Sequence, residues 1–279
     1  MNNDIYPCVL FEREAADAGT FYADLYGGTA SSENPFVTMV DVFGQKLMLL
    51  NYGMPIDKTP ALNLHLNIDD DAEVDRIFNA LKEGGRELMP LGSYPWSPRY
   101  GWVNDRFGTS WQVYGTGGAT QPQTLVPSLM FVGDKVGKCS EAMELYTSTF
   151  LNSRSNGAKK DDKGNVMHAD FEIDGYHLYA MDSEGPHAFD FNNGVSMLVL
   201  TDDQAQTDHY WSSLLAGGGK EMQCGWLEDR YGVRWQIAPK AIIAMVGDNA
   251  NPEKQQRAIA EMMKQIKLEI APIEAAYNV

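Results

Sequence analysis

Histidine and carboxylate residues at strand-like spacing are the first candidates for chemistry in this sequence. The alternating stretch VMHADFEI (166–173) places His168, Asp170 and Glu172 on one face of a strand, opposite an apolar row. Such a row could chelate a divalent metal, or a histidine beside a carboxylate could transfer protons. The reading that we favour is the solvated face of a sheet, because alternation alone produces this pattern.

A second candidate set lies in LNLHLNID (62–69), which alternates in the same way. Asn63 and His65 share one face of this strand, within reach of Gln112 if the two strands pair. His65 could act on a ligand or serve as a hydrogen-bonded histidine of a cleft wall. His187 in GPHAFDF is a further candidate general base by residue type, or a surface histidine. The candidate catalytic residues are therefore His65, His168, Asp170 and His187.

These residues belong to a sequence that is repeated. GWVNDRFGTSWQV (101–113) returns 124 residues later as GWLEDRYGVRWQI (225–237). Upstream, LNLHLNIDDDAEVDRIFNALKEGG (62–85) matches VSMLVLTDDQAQTDHYWSSLLAGG (195–218). Each copy reads as a strand, an Asp pair suited to cap a helix, an amphipathic helix and a Gly-Gly stop. The first copy carries nine additional residues before the signature strand, within 86–100.

Each half also begins with a strand and a helix, followed by two strands joined by a tight turn. Each half therefore reads β-α-β-β-β-α-β, and the chain is predicted to be a tandem duplication. We place the first domain at 1–117, a linker at 118–124, the second domain at 125–245 and a C-terminal helical tail at 246–279. An apolar stripe in the tail, formed by Ile259, Met262, Met263 and Ile266, is expected to pack on the second domain.

The charge balance excludes several classes of partner. The chain has 22 Lys and Arg against 38 Asp and Glu, a net charge of −16. Because this charge repels phosphate backbones and anionic membranes, we expect neither nucleic acid nor a membrane as a partner. MNNDIYPCVLF lacks a basic segment and a long apolar stretch, so no signal peptide is expected. Cys8, Cys139 and Cys224, without metal-type spacing, fit a reduced cytoplasmic protein.

The repeated strand, with its pattern GW-x-x-D-R-[FY]-G-x-x-WQ, resembles the vicinal oxygen chelate superfamily of glyoxalase, bleomycin-resistance and dioxygenase proteins. Within it the chain resembles the PhnB-like branch, also labelled demethylubiquinone methyltransferase-like, through EGPHAFDFNNGVSMLVL (184–200) and QCGWLEDRYGVRWQIAP (223–239). The resemblance covers nearly all of the chain. It implies an α+β fold in which paired βαβββ modules form open half-barrel sheets, with helices on the convex side and a ligand cleft on the concave side.

Relatives of the glyoxalase type hold a divalent metal with His and Glu from the first and last strands of their modules. The resemblance puts the corresponding places near Pro7, Leu49, Asn63 and Gln112 in the first half and near Pro127, Tyr179, Ser196 and Gln236 in the second. None of these residues is His or Glu, so we predict no metal at this quartet and no other cofactor. A divalent metal held through His65 or through the His168 row is the alternative.

The methyltransferase label finds no support in the sequence itself. A glycine loop that binds such a cofactor lies between a strand and a helix. The glycine stretch YGTGGATQPQ (114–123) runs into prolines instead, so it reads as a linker. No S-adenosylmethionine is therefore expected.

The additional residues of the first half carry aromatic side chains and an arginine. They could close over an anionic or aromatic ligand, or they could dock on the other domain. The residues expected to bind a ligand are Asn63, His65, Tyr94, Trp96, Arg99, Gln112, Tyr114, Ser196 and Gln236.

We therefore predict a glyoxalase-like, PhnB-like protein with a cleft for a small molecule and without the usual metal quartet. One alternative is a metal-dependent lyase, isomerase or dioxygenase of the glyoxalase type. A second alternative is a non-catalytic binding or resistance protein, which needs only an aromatic, hydrogen-bonding cleft. The two halves could pair within one chain as a monomeric pseudo-dimer, or the chain could form a homodimer.

Overall fold

The computed structural model describes residues 4–32, 34–121 and 124–279, which form four modules and a tail. The first half contains β1 (Ile5–Phe11), α1 (Ala15–Tyr26), β2 (Ala30–Ser32), β3 (Val37–Val42) and β4 (Gln45–Asn51), then β5 (Leu62–Ile68), α2 (Asp71–Lys82), β6 (Arg86–Tyr94), β7 (Ser97–Asn104) and β8 (Ser110–Gly115). The second half contains β9 (Leu125–Val132), α3 (Cys139–Thr149), β10 (Arg154–Lys160), β11 (Val166–Ile173) and β12 (Tyr176–Ser183), then β13 (Val195–Thr201), α4 (Gln204–Leu215), β14 (Lys220–Glu221), β15 (Trp226–Glu228) and β16 (Arg234–Pro239). The tail forms α5 (Lys240–Val246), α6 (Pro252–Met262) and α7 (Ile270–Asn278).

The repeated helices begin where the Asp pairs predict. The Asp70 carboxylate accepts a hydrogen bond from the amide of Ala72, and Asp203 accepts one from Gln206. These side chains satisfy amide groups in the first turn, which have no partner within the helix. The Gly-Gly stops follow, with Gly84 at a φ of +72° and Gly217 at +81°, a backbone region that glycine adopts without steric cost.

The strands form two eight-stranded mixed sheets, and each sheet combines one module from each half. Sheet A has the order β14-β15-β16-β13-β1-β4-β3-β2, and sheet B has the order β10-β11-β12-β9-β5-β8-β7-β6. At their centres, β1 pairs antiparallel with β13 and β5 pairs antiparallel with β9. The two sequence repeats therefore do not coincide with the two sheets, and the modules pair within a single chain.

Because each sheet combines modules from both halves, the eight positions matched to metal ligands are grouped differently from the sequence expectation. Asn63 and Gln112 of the first half lie on sheet B, whereas Pro7 and Leu49 lie on sheet A. The expectation of one such quartet per half is therefore wrong. The modules of a tandem repeat are so similar that their sequences do not specify which two share a sheet.

The helix-covered faces of both sheets share one apolar core, and the repeated signature lies at its centre. Asp105 accepts hydrogen bonds from Tyr22 Oη at 2.6 Å and from Trp111 Nε1 at 2.9 Å, both buried. It also accepts two backbone amides of its own turn. The same set recurs at Asp229, which binds Tyr146, Trp235 and two backbone amides. The Asp and Trp that both copies of the repeat share thus connect a helix to the turn before the last strand of the next module.

No helix in the described ranges combines the length and the apolar character needed to cross a bilayer.

Candidate functional site

The open face of sheet A, which we define as the face away from the shared core, is apolar. Along β1 the side chains alternate, so that Val9 packs in the shared core while Cys8 and Leu10 lie on the open face. Cys8 lies beside Met48 of β4 and opposite Ser196 of β13. The buried residues of this face are Tyr6, Cys8, Leu10, Met48 and Leu198. Apart from Cys8, they form an apolar floor.

Three polar side chains interrupt this floor at its centre. Gln236 Nε2 donates a hydrogen bond to Ser196 Oγ at 2.9 Å, and both residues are buried. The Cys8 thiol forms hydrogen bonds with the side chains of Gln236 and Ser196. Burial raises the pKa of Cys8 to about 12, and these hydrogen bonds offset only part of that rise. The thiol therefore stays protonated near neutral pH and is not an activated nucleophile.

A cavity of about 1460 Å³ lies above this floor. Its walls come from β3, from the segment around Trp226 and from the C-terminal tail. The tail contributes Ile243, Val246, Ile259, Met262, Met263 and Leu268. Most of the stripe predicted in the tail thus borders the cavity, and Met263 is 59% exposed at its edge.

Backbone pairing holds the tail in this position. The amides of Cys224 and Gly225 donate to the carbonyls of Gln265 and Ile266 at 2.9 and 2.7 Å. Leu268 is buried against Gly225, where an added Cβ would lie 2.9 Å from the leucine side chain. The tail is therefore held in place as part of the cavity wall.

The open face of sheet B repeats the same plan with polar and aromatic residues. Gln112 Nε2 donates to Asn63 Oδ1 at 2.8 Å, the counterpart of the contact between Gln236 and Ser196. Tyr100 Oη donates to Gln112 Oε1 at 2.7 Å. The structure thus brings Asn63 and Gln112 together, as predicted, but their amide groups are already bonded to neighbours.

His65 lies in the middle of this polar face and is buried. Its ring centroid is 5.3 Å from that of Tyr114 and 5.0 Å from that of Tyr179. Burial, followed by the nearby His168, lowers the pKa of His65 to about 3. His65 is therefore a neutral imidazole at physiological pH.

The row of His168, Asp170 and Glu172 borders the same face. The ring of His168 lies 4.9 Å from that of Tyr179. His177 connects the two carboxylates, with Nδ1 3.1 Å from Asp170 and Nε2 3.1 Å from Glu172. Because the protein's own side chains occupy both carboxylates, Asp170 and Glu172 form a hydrogen-bonded polar face on β11, which lies between β10 and β12.

His187 and Arg99 have partners of their own. His187, on the loop after β12, has its Nε2 2.7 Å from the Oγ of Ser183, the last residue of β12. The Arg99 guanidinium forms two bonds with Asp75 of α2, at 2.5 and 2.9 Å. The Arg99 side chain therefore extends from β7 toward α2, on the helix-covered side of sheet B. Its charge does not face the open side.

The additional residues of the first half lengthen the hairpin of β6 and β7. The rings of Tyr94 and Trp96 stack with centroids 5.1 Å apart, and Tyr114 Oη donates to the Trp96 carbonyl at 2.6 Å. Tyr94 joins an apolar cluster that includes Met130 and Val132 of the second half. The hairpin and this cluster cover part of the open face of sheet B.

Neither sheet presents a donor set that fits the divalent metal of glyoxalase-type relatives. Apart from the buried His65, the central residues of the open faces are Cys8, Met48, Ser196 and Gln236 on sheet A and Asn63, Gln112, Ser128 and Tyr179 on sheet B. None is an imidazole or a carboxylate, the donors that such ions favour. Among the described residues no group of three or more His, Cys, Asp or Glu could hold a metal ion.

Three of the positions matched to metal ligands are shifted by one residue in the structure. Leu49 lies in the shared core, so Met48 holds its place on the open face, and Cys8 and Ser128 replace Pro7 and Pro127 in the same way. In the sequence, only the alternation of side chains along β1 and β4 indicates that Cys8 and Met48 lie on the open face. That signal is weak here because every residue of β1 is buried.

Comparison with known proteins agrees with this architecture. A family model described as 3-demethylubiquinone-9 3-methyltransferase matches residues 3–114 and 123–238. The PhnB protein of Bacillus cereus is 31% identical over 39% of this chain and 96% of its own, with a TM-score of 0.36. Glyoxalase I from Zea mays is 13% identical but covers 84% of this chain and 91% of its own, with a TM-score of 0.56. No curated protein matches the chain.

The family model matches each half once, and the maize structure shares the two-sheet fold across both halves. The fold is therefore the tandem vicinal oxygen chelate arrangement that the repeated signature predicted. The chain belongs to the PhnB-like family described as 3-demethylubiquinone-9 3-methyltransferase.

Proposed function

We propose that this protein binds a small organic molecule in the cavity of sheet A without a metal ion. The observation that carries this proposal is the cavity of about 1460 Å³, whose mainly apolar floor includes Gln236, hydrogen-bonded to the buried Ser196, as a polar group. Ligand sites in proteins are concave, mostly apolar and supplied with a few placed polar groups. The site on sheet A has each of these properties.

The size and lining of the cavity favour a large, mainly apolar ligand. Drug-sized ligands occupy pockets of about 300–1,000 Å³, which this cavity exceeds. Several methionines line it, including Met39, Met48 and Met262. Because methionine side chains are flexible and polarisable, they adapt to ligands of different shape.

Metal-dependent chemistry of the glyoxalase type has less support. Apart from the single imidazole of His65, the central residues of both sheets lack imidazole and carboxylate donors, and the carboxylates beside His168 are bonded to His177. Methyl transfer, which the family description names, also lacks support from this fold. The glycine stretch after β8 leads to strand β9 rather than to the start of a helix, so it does not form a cofactor-binding glycine loop.

The exchange of modules between the sheets supports a monomer, because both open faces are completed within one chain. The three free cysteines support a reducing, cytoplasmic location for this monomer.

The proposal is tested with 8-anilinonaphthalene-1-sulfonate, a dye that fluoresces in apolar sites. Met39→Trp narrows the cavity from its β3 wall and is expected to abolish most of the dye signal. Met167→Trp adds the same side chain at an exposed position on sheet B and serves as the matched control. Equal dye binding by the wild type and both variants would reject the cavity as the binding site.

A further inference from the structure

The two glutamines at corresponding places of the repeat are bonded differently. On sheet B, Gln112 Nε2 donates to Asn63 at 2.8 Å and Gln112 Oε1 accepts from Tyr100 Oη at 2.7 Å, so both ends of the amide have partners. On sheet A, Gln236 Nε2 donates to Ser196 at 2.9 Å. Its Oε1 accepts no hydrogen bond from an N–H or O–H group of the described residues. One acceptor in the floor of sheet A therefore lacks the partner that its counterpart has.

This oxygen is directed into the cavity. Gln236 is only 7% exposed, and it lines the cavity while its Nε2 is turned toward Ser196 on the neighbouring strand. Oε1 is not sealed inside the protein. A buried acceptor without a partner costs free energy, which a bound donor would restore. Because a carbonyl oxygen accepts and cannot donate, the group that suits it is an O–H or N–H.

The missing partner follows from a sequence difference between the halves. Cys224 stands 124 residues after Tyr100, at the same place of the repeat. Its thiol contacts Met262 and Met263 of the tail instead of Gln236. Cys224 also lines the cavity. The phenol of Tyr100 is thus not replaced on sheet A by another side chain that donates to the glutamine.

On sheet B, the Tyr100 ring shows how a phenol lies on such a floor. The ring meets those of Tyr94 and Trp96 edge to face, with centroids 5.4 and 5.7 Å apart, an arrangement that aromatic pairs favour. Tyr94 and Trp96 belong to the additional segment of the first half, which has no counterpart in the second half. On sheet A the cavity lies over the corresponding part of the floor.

The surroundings of Gln236 suit an aromatic ring. Trp226 lies directly beside Gln236 in the pairing of β15 with β16, and Leu198 lies on its other side on β13. Both side chains line the cavity. Ala238 stands where the first half has Tyr114, which leaves room next to the glutamine. An aromatic side chain, an aliphatic side chain and a free acceptor therefore meet at one place in the cavity.

We propose that the ligand of the sheet A cavity carries a phenol, whose O–H donates a hydrogen bond to Gln236 Oε1 while its ring lies beside Trp226. The ligand hydroxyl takes the place that Tyr100 Oη occupies on Gln112 of sheet B. This inference rests on the proposed function and specifies its ligand class.

The first test is equilibrium dialysis of the wild type near neutral pH against three probes of similar size: 2-naphthol, 2-methylnaphthalene and decahydro-2-naphthol. The second probe replaces the hydroxyl with a methyl group, and the third keeps the hydroxyl on a saturated body. A purely apolar cavity would bind 2-methylnaphthalene most tightly, because a methyl group is more hydrophobic than a hydroxyl. We expect 2-naphthol to bind more tightly than either of the others, and this comparison requires no variant.

The second test removes the acceptor. Gln236→Leu should weaken 2-naphthol binding about five- to thirtyfold, since the phenol O–H is then buried without a partner. Binding of 2-methylnaphthalene should stay nearly unchanged, which also shows that the variant is folded. Gln112→Leu makes the same change on sheet B, where Tyr100 already bonds the oxygen, and is the matched control. It should leave 2-naphthol binding unchanged.

The outcomes separate this inference from the proposed function. If 2-methylnaphthalene binds as tightly as 2-naphthol, or if both glutamine variants lose 2-naphthol equally, the hydrogen bond to Gln236 is wrong. If decahydro-2-naphthol binds as tightly as 2-naphthol, the aromatic class is wrong. Dye binding that depends on Met39, without binding of 2-naphthol, would reject the phenol and keep the cavity as a binding site. If the dye test also fails, the proposed function itself is rejected.

Discussion

Gln236 on β16 donates a hydrogen bond to Ser196 on the neighbouring strand β13, with 2.9 Å between Nε2 and Oγ. This contact lies at the floor of the cavity, at the place where glyoxalase-type relatives carry metal ligands. An amide and a hydroxyl that satisfy each other leave an uncharged floor. That floor suits an apolar ligand better than a divalent ion, which favours charged or imidazole donors.

The buried aspartates of the repeat are predicted to stabilise the fold. Asp105→Asn replaces an acceptor of four hydrogen bonds with an amide that cannot accept all of them. Because a buried donor without a partner is costly, we expect the free energy of unfolding to fall by about 2–4 kcal/mol. Urea denaturation measures this change. Asp134→Asn, at an exposed carboxylate, should change stability little, and an equal loss in both variants would contradict the role of Asp105.

His65 is predicted to make the protein sensitive to acid. Its folded-state pKa of about 3 lies below the ordinary value of 6.5. Between these values the unfolded chain binds a proton that the folded chain does not, so stability falls as pH decreases, by at most about 1.4 kcal/mol per pH unit. Below the folded-state value both states bind the proton and this dependence ends.

His65→Asn should therefore flatten the pH dependence of stability between pH 6.5 and 3, measured by urea denaturation at several pH values. The control is His209→Asn at an exposed histidine of α4. An unchanged acid slope in the His65 variant would show that its imidazole is not held neutral by burial.

Cysteine reactivity should report on the cavity. Burial raises the pKa of Cys8 to about 12 and also raises that of Cys139, and both thiols are buried. Cys224 is only half-buried and borders the cavity. Iodoacetamide at neutral pH should modify Cys224 first, as followed by peptide mass spectrometry, because access and thiolate fraction set the rate. A bound ligand should slow this reaction, and faster modification of Cys8 would contradict its burial.

Docking of the tail should depend on Leu268. The residue is 2% exposed and packs at Gly225, so Leu268→Ala should weaken docking by about 2–4 kcal/mol. Hydrogen exchange across α6 and α7 should then accelerate, while exchange in β1 and β5 stays slow. Ile266→Ala, at a residue 42% exposed, is the control, and similar exchange in both variants would contradict the anchoring role.

The elements of the fold were readable from the sequence because they depend on local signals. The Asp pairs capped α2 and α4, and the Gly-Gly stops followed them. The repeated Trp and Asp side chains also identified the superfamily. The pairing of modules was not readable, since four similar units offer several equivalent partners and only tertiary packing selects among them.

The candidate site was only partly predictable for a related reason. Asn63 and Gln112 were placed together by the alternation of β5 and β8, which holds in the structure. The cavity on sheet A was predicted only through Ser196 and Gln236, because β1 is apolar on both faces and shows no contrast between Cys8 and Val9. The tail residues over the cavity carried an amphipathic pattern, but a pattern does not show which surface it covers.

Native mass spectrometry of the gently purified protein, paired with elemental analysis, tests the central claim most directly. We predict a chain without a stoichiometric divalent metal that retains an organic molecule, and that loses this molecule in Met39→Trp but not in Met167→Trp. One divalent metal per chain, lost on His65→Ala or His168→Ala, would contradict the metal-free cavity and assign the function to sheet B.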